Sequence, residues 1–312
     1  MVKNYLLVLS FLAAISVHAQ NSNKIRVVGY IPDRSVAKMT EDVFDHINDA
    51  IYFGVKVDDD GNINRKDIDK DLNYLLKLKG DRSVNMSICF GGWGASDFFI
   101  EMTADSESRA NFCRQTLELC RQYQLKGVDI DWEFPKNKAQ KEGFRLLIKD
   151  LNAVLNPEGI DITVAVGFWN KQARLTASVE PYISGVNLML YDNFSPLKGQ
   201  ASYTLVKRTI KRFIRKGIPA EKLFAGVPFY GRHRWWWKKD MSYNAVEGHS
   251  DAISPKGVYN GYFFDVPKTL DSKMELIREM NLGGIMIWEL GQDVDINHPK
   301  SLLRYISERN KP

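Results

Sequence analysis

Short apolar runs alternate with longer amphipathic stretches from residue 25 to the end of the chain. The runs are IRVVGYI (25–31), NDAIYFGV (48–55), VNMSICF (84–90), KGVDIDWE (126–133), ITVAVGFW (162–169), VNLMLYD (186–192), KLFAGVPF (222–229) and GGIMIWE (283–289). Helical patterns separate most of them: 67–79 before Gly80, 106–123 through Ala110, Cys113, Leu117 and Cys120, the repeat Phe144, Leu147, Leu151 and Leu155, 202–216 before Gly217, and 270–280 before Asn281. Glycine or asparagine just past a helix is a normal stop. Eight strands with intervening helices predict an α/β chain folded as a single-domain (β/α)8 barrel. An open doubly wound sheet is the alternative, but no G-x-G-x-x-G follows the first strand. No linker, repeat or low-complexity stretch divides off a second domain.

One run departs from the apolar habit. GVDIDWE (127–133) places Asp129, Asp131 and Glu133 at every second position, with Val128, Ile130 and Trp132 between them. Successive side chains of a strand point to opposite faces, so the acids share one face and the apolar residues the other. Helical patterns flank the run on both sides, so the apolar face packs on helices and the acids face an interior or a cleft. Carboxylates spaced roughly 6.6 to 7 Å apart in a semi-enclosed place repel, and at least one stays protonated near neutral pH. That is the preparation a general acid needs.

Barrel active sites lie at the carboxyl ends of the strands. Here those ends carry Tyr30, Phe53, Gly91-Gly92-Trp93, Glu133, Phe168-Trp169, Tyr191-Asp192, Tyr230-Gly231-Arg232 and Trp288-Glu289. Aromatic faces around carboxylates suit a pyranose ring, whose C–H face stacks while its hydroxyls bind polar groups. Trp235-Trp236-Trp237, beyond the seventh run, is expected to widen that platform.

Composition narrows the surroundings. Residues 1–19 have Lys3 before an apolar run and end in Val17-His18-Ala19, which reads as a signal peptide. The run is shorter than the roughly 20 residues of a membrane span. Residues 20–312 are therefore expected to be exported, to the periplasm or beyond the cell, with no membrane span and with a monomer as the default. Cys89, Cys113 and Cys120 are too few for a disulfide framework and read as small buried hydrophobes. The five histidines show no H-x-H or H-E-x-x-H spacing, so neither a metal nor another cofactor is expected. A formal charge of +5 is too small to imply nucleic acid. The basic cluster from Lys207 to Lys216 alternates helically with apolar residues and reads as a solvated helix face.

With these motifs assembled, the chain resembles the family 18 glycoside hydrolases, the chitinases and endo-β-N-acetylglucosaminidases. KGVDIDWE matches all but the first position of their DxxDxDxE motif, and CFGGW (89–93), MLYD (189–192), GVPFYGR (226–232) and GGIMIW (283–288) follow in order. WEFP (132–135) and the terminal GGIMIWELGQD are closer to chitinases. The resemblance implies substrate-assisted hydrolysis of an N-acetylglucosamine-containing oligo- or polysaccharide, with the substrate's own 2-acetamido group as nucleophile. It assigns Glu133 as the acid, Asp131 to the acetamido N–H, Asp129 to proton sharing with Asp131, and Tyr191 to the acetamido oxygen. Asp192 and Met189 would bind the sugar and Trp288 would floor the central subsite. Tyr30, Phe53, Trp93, Trp169, Arg232 and Trp235 complete the expected substrate-binding set.

Two departures stand out. Lys126 replaces the motif's first aspartate and is expected to affect the bottom of the barrel. Cys89 stands where the family usually has serine and offers Asp129 a weaker hydrogen bond. Only about 50 residues separate the last two runs, so the α+β insertion of many long-cleft chitinases is expected to be absent and the groove open. The alternatives are cleavage of the chitobiose core of N-glycans and a non-catalytic sugar-binding barrel, against which Glu133 speaks.

Overall fold

The computed structural model describes residues 24–192, 200–235, 237–246 and 248–311. The candidate signal peptide (1–19) and Trp236 lie outside them. Each predicted apolar run forms a strand within a few residues of its expected bounds. The strands are β1 (Arg26–Pro32), β2 (Asp49–Val55), β3 (Asn85–Gly91), β4 (Gly127–Asp131), β5 (Asp161–Gly167), β6 (Gly185–Met189) and β7 (Leu223–Pro228), then four short ones, β8 (Tyr230–His233), β9 (Met241–Ser242), β10 (Val258–Tyr259) and β11 (Tyr262–Phe263), and last β12 (Gly284–Trp288). Parallel pairing in the order β1-β12-β7-β6-β5-β4-β3-β2 closes the sheet, so the (β/α)8 barrel holds.

The helices are α1 (Ile68–Lys79), α2 (Phe98–Ala104), α3 (Ser106–Tyr123), α4 (Lys138–Leu155), α5 (Asn170–Ala177), α6 (Tyr203–Arg215), α7 (Pro267–Glu279) and α8 (Leu302–Arg309). Several are capped as their sequences demand: Asp105, Asn137, Ser202 and Ser301 each accept a backbone N–H of the first turn. On α6 the apolar Val206, Ile210 and Phe213 are buried, and Lys207 reaches Glu279 on the solvent side.

Two apolar layers result. The larger lies between sheet and helices. Val128 and Ile130 are fully buried in it, and Trp132 stacks on Phe99 at 5.0 Å, with Phe144 at 6.4 Å. The smaller fills the barrel and is built from strand positions of the other parity, among them Val28, Tyr30, Ile51, Cys89, Phe224 and Met286. Asp129 and Asp131, of the opposite parity to Val128, thereby turn inward. All three cysteines are buried and free.

One expectation needs correction. Glu133 is not part of the strand, because β4 ends at Asp131; it stands on the turn that follows. The segment between β7 and α7 had no strands assigned to it from the sequence. It contains a four-stranded antiparallel sheet in the order β10-β11-β8-β9. Three of its strands have only two residues, too few for a period-2 pattern to register.

Candidate active site

The carboxyl ends of the barrel strands open into a cleft of about 520 Å³. Glu133, Asp131, Tyr191, Asp192, Met189, Trp288, Phe53, Trp93, Trp169 and Arg232, all expected from the sequence, line it. Trp288 packs edge-on against Phe53 at 4.9 Å, so the floor is a corner of two rings at 82°. Trp169 stands at the far wall against Phe134 and Phe168, at 5.2 and 4.7 Å. Trp93 is 81% exposed at the rim.

Local sequence explains how the acids are held. The chain at Gly91 has φ +99°, and a Cβ there would lie 2.2 Å from the Asp131 carbonyl oxygen. Only glycine lets β3 approach β4 so closely. The approach allows Gly92 N–H to donate to that carbonyl at 2.7 Å. Ser96 completes the clamp: its hydroxyl faces the carbonyls of Gly92 and Asp131 at 2.9 and 3.0 Å and accepts the Glu133 N–H at 3.1 Å. The backbone on both sides of the catalytic candidates is thus pinned by CFGGW and the serine after it.

Asp129 lies beneath the cleft, fully buried. Its Oδ2 accepts from Tyr30 Oη at 2.8 Å and Cys89 Sγ at 3.2 Å. Its Oδ1 accepts from Thr163 Oγ1 at 2.5 Å and Asn187 Nδ2 at 3.0 Å. Four donors from four strands make Asp129 a fixed group, and its charge acts on Asp131. Asp131 itself is buried, and its Oδ1 has no hydrogen-bond partner within the protein. A buried carboxyl oxygen with no donor in the protein is satisfied either by the carboxyl's own proton or by a donor brought in with a ligand.

Tyr30 and Trp235 also need correction. Tyr30, only 2% exposed, is absent from the cleft wall: it supports Asp129 from below and Trp288 edge-on at 5.6 Å. Trp235 stacks on Trp237 at 5.2 Å, outside the cleft lining. Tyr30 sat at a predicted strand end and Trp235 beyond one, but neither position by itself says which layer a side chain joins. Lys126, as expected, sits at the opposite end of the barrel beside Asp161 and Ser87, away from the acids.

Several residues escaped the sequence reading. Arg34 lines the cleft from the turn after β1 and pairs with the buried Glu289, which also accepts from Ser35 Oγ at 2.7 Å. Asp240, Gln292 and Phe134 line it as well. Thr163 and Asn187 hold Asp129 from β5 and β6, and only the inward parity of their strands hinted at this.

The electrostatics follow from burial and like charge. Burial pushes Asp131 well above the usual carboxylate range, and the neighbouring Glu133 and Asp129 push it further. Glu133 rises to about 7, first through burial and then through the charge of Asp192, against a backbone hydrogen bond from Trp93. Burial also raises Asp129, although its four donors pull the other way. Tyr191 is held protonated well above its ordinary range by burial and by the charge of Asp131. A Glu133 that keeps its proton up to about pH 7, an Asp131 oxygen without a partner in the protein and a neutral Tyr191 hydroxyl therefore stand together at the cleft.

Comparison with known proteins fits this site. The family model of glycosyl hydrolases family 18 matches residues 26–293. Among relatives, the chain is 29% identical over 195 residues to a probable chitinase 2 of Drosophila melanogaster, matching 56% of this chain and 40% of the relative. The match thus spans well under half of that longer protein. Among solved structures, the family 18 chitinase ChiB of Flavobacterium johnsoniae superposes with a TM-score of 0.79 at 23% identity, covering 92% of this chain and 94% of the other. The second catalytic domain of the Ostrinia furnacalis Group II chitinase, in complex with (NAG)5, gives 0.78 at 23% identity, covering 92% and 97%. At those identities the structures speak for the fold, while the family model, spanning most of the barrel, settles membership: the chain belongs to glycosyl hydrolases family 18.

Proposed function

We propose that this protein is a retaining glycosidase that cleaves β-1,4-linked N-acetylglucosamine chains, chitin or chitooligosaccharides, by substrate-assisted catalysis, as an exported monomer. The observation that carries the reading is the pairing of a Glu133 protonated to about pH 7 with a buried Asp131 whose Oδ1 lacks a partner. Glu133 gives its proton to the glycosidic oxygen as the C–O bond breaks. Asp131 accepts the acetamido N–H, turning the acetamido oxygen toward the anomeric carbon, where it forms an oxazolinium ion. Tyr191 donates to that oxygen, and Asp129 keeps Asp131 in place. The Glu133 carboxylate then takes a proton from water, which opens the ring with net retention. Trp288 and Phe53 support the sugar at the bond to be cleaved. Names and contents of the neighbours point the same way, since the Drosophila relative is a probable chitinase and the Ostrinia domain holds (NAG)5.

The test is turnover of chitotetraose and, separately, of a high-mannose glycoprotein, followed by mass spectrometry. Shorter chitooligosaccharides are expected from the first and no change in the second. Deglycosylation leaving one N-acetylglucosamine on asparagine would replace the reading with the N-glycan activity.

A further inference from the structure

The cleft holds an arginine placed between two carboxylates. Arg232 on β8 reaches Asp192 Oδ1 at 3.1 Å and Asp240 Oδ2 at 3.4 Å through the same nitrogen, Nη1. Asp192, with φ +55°, also accepts from Tyr230 Oη at 2.6 Å. The turn that leaves the cleft at Arg232 returns to it at Asp240, so this second acid is brought back to the wall by the small antiparallel sheet. Only Asp192 of the pair acts directly on Glu133, raising its proton affinity.

We propose that Asp240 is a positioning residue for the acid chemistry of this cleft: by competing with Asp192 for Arg232, its carboxylate governs how strongly Asp192 holds the proton on Glu133. The inference rests on Glu133 being the acid of the proposed function. When Asp240 is ionised it draws the guanidinium from Asp192, leaving more negative field on Glu133. When Asp240 is protonated, Arg232 stays with Asp192 and that field weakens. Burial lifts Asp240 to about 6, against Arg232 and together with Asp192, so it ionises just below the range in which Glu133 does. The other groups facing this cluster do not substitute for Asp240. Asp131 lies beside Glu133 on the β4 side, and Tyr191 and Tyr230 are held neutral by burial first. Across the cleft, Arg34 is occupied by Glu289.

The experiment follows the Glu133 carboxyl carbon by ¹³C NMR through a pH titration, its signal assigned by its loss in Glu133→Gln, in the unaltered protein, Asp240→Asn and Asp240→Glu. The Asp240→Asn midpoint is expected to fall by about 0.5 to 1 pH unit, and Asp240→Glu to stay near the unaltered value. The alkaline limb of chitotetraose turnover should shift by the same amount. An unmoved midpoint in folded Asp240→Asn, or equal shifts in both variants, would overturn the proposal. Because the titration reads Glu133 without turnover, an inactive protein with a moved midpoint would count against the proposed reaction and not against the role of Asp240.

Discussion

At the scale of single residues, the alternation of acids in GVDIDWE already contained the central chemistry. Parity alone put Asp129 and Asp131 inward and Trp132 outward, where it stacks on Phe99. The partners were not legible. Thr163, Asn187 and Tyr30 lie 34, 58 and 99 residues from Asp129, and a closed barrel brings them together without any local signal. The unbonded Oδ1 of Asp131 gives the first expectation at this scale. A C2 hydroxyl could still donate to that oxygen, but a sugar without the N-acetyl group offers no internal nucleophile. Cellotetraose should therefore be inert under conditions that turn over chitotetraose. Comparable rates on the two would remove Asp131 and the acetamido group from the mechanism.

At the scale of elements, the eight barrel strands were readable because each is buried on both faces and so apolar over most of its length. Among the helices, α2, α5 and α8 were not singled out; they span 7, 8 and 8 residues, short windows for a 3.6-residue period. The antiparallel sheet of β8 to β11 was missed for a like reason, and with it the return of Asp240 to the cleft. The β3–β4 contact is the element on which the site depends most. Replacing Gly91 by alanine sets a methyl against the Asp131 carbonyl at 2.2 Å in a backbone conformation of φ +99°. Strain and clash together should cost about 2 to 4 kcal/mol, a fall in Tm of about 5 to 10 °C for a domain of this size. Gly94, also at positive φ (+74°) but with nothing within 4 Å of the added carbon, is the control and should lose far less. Differential scanning calorimetry of both variants decides; equal losses would mean that positive φ, not the β3–β4 approach, sets the cost.

At the scale of the whole molecule, the active site makes a stability demand that pH reveals. Glu133 titrates at about 7 when folded, above its ordinary 4.5. The folded state thus holds this proton more tightly than the unfolded chain. The stability it contributes is present below pH 4.5 and is lost as pH rises through 7. Glutamine has no such dependence. Glu133→Gln should therefore gain Tm relative to the unaltered protein as pH rises from 5 to 8, and parallel curves would show that Glu133 carries no unusual proton affinity. Among the described residues no helix is long and apolar enough to cross a membrane. The most direct test of what the cleft does is the anomeric form of the first product, followed by ¹H NMR as chitotetraose is cleaved by the unaltered protein and by Glu133→Gln. Substrate-assisted hydrolysis with Glu133 as the acid predicts β-anomer from the unaltered protein before mutarotation, and a rate at least about 100-fold lower from the variant; α-anomer at early times, or undiminished cleavage without Glu133, would contradict that mechanism.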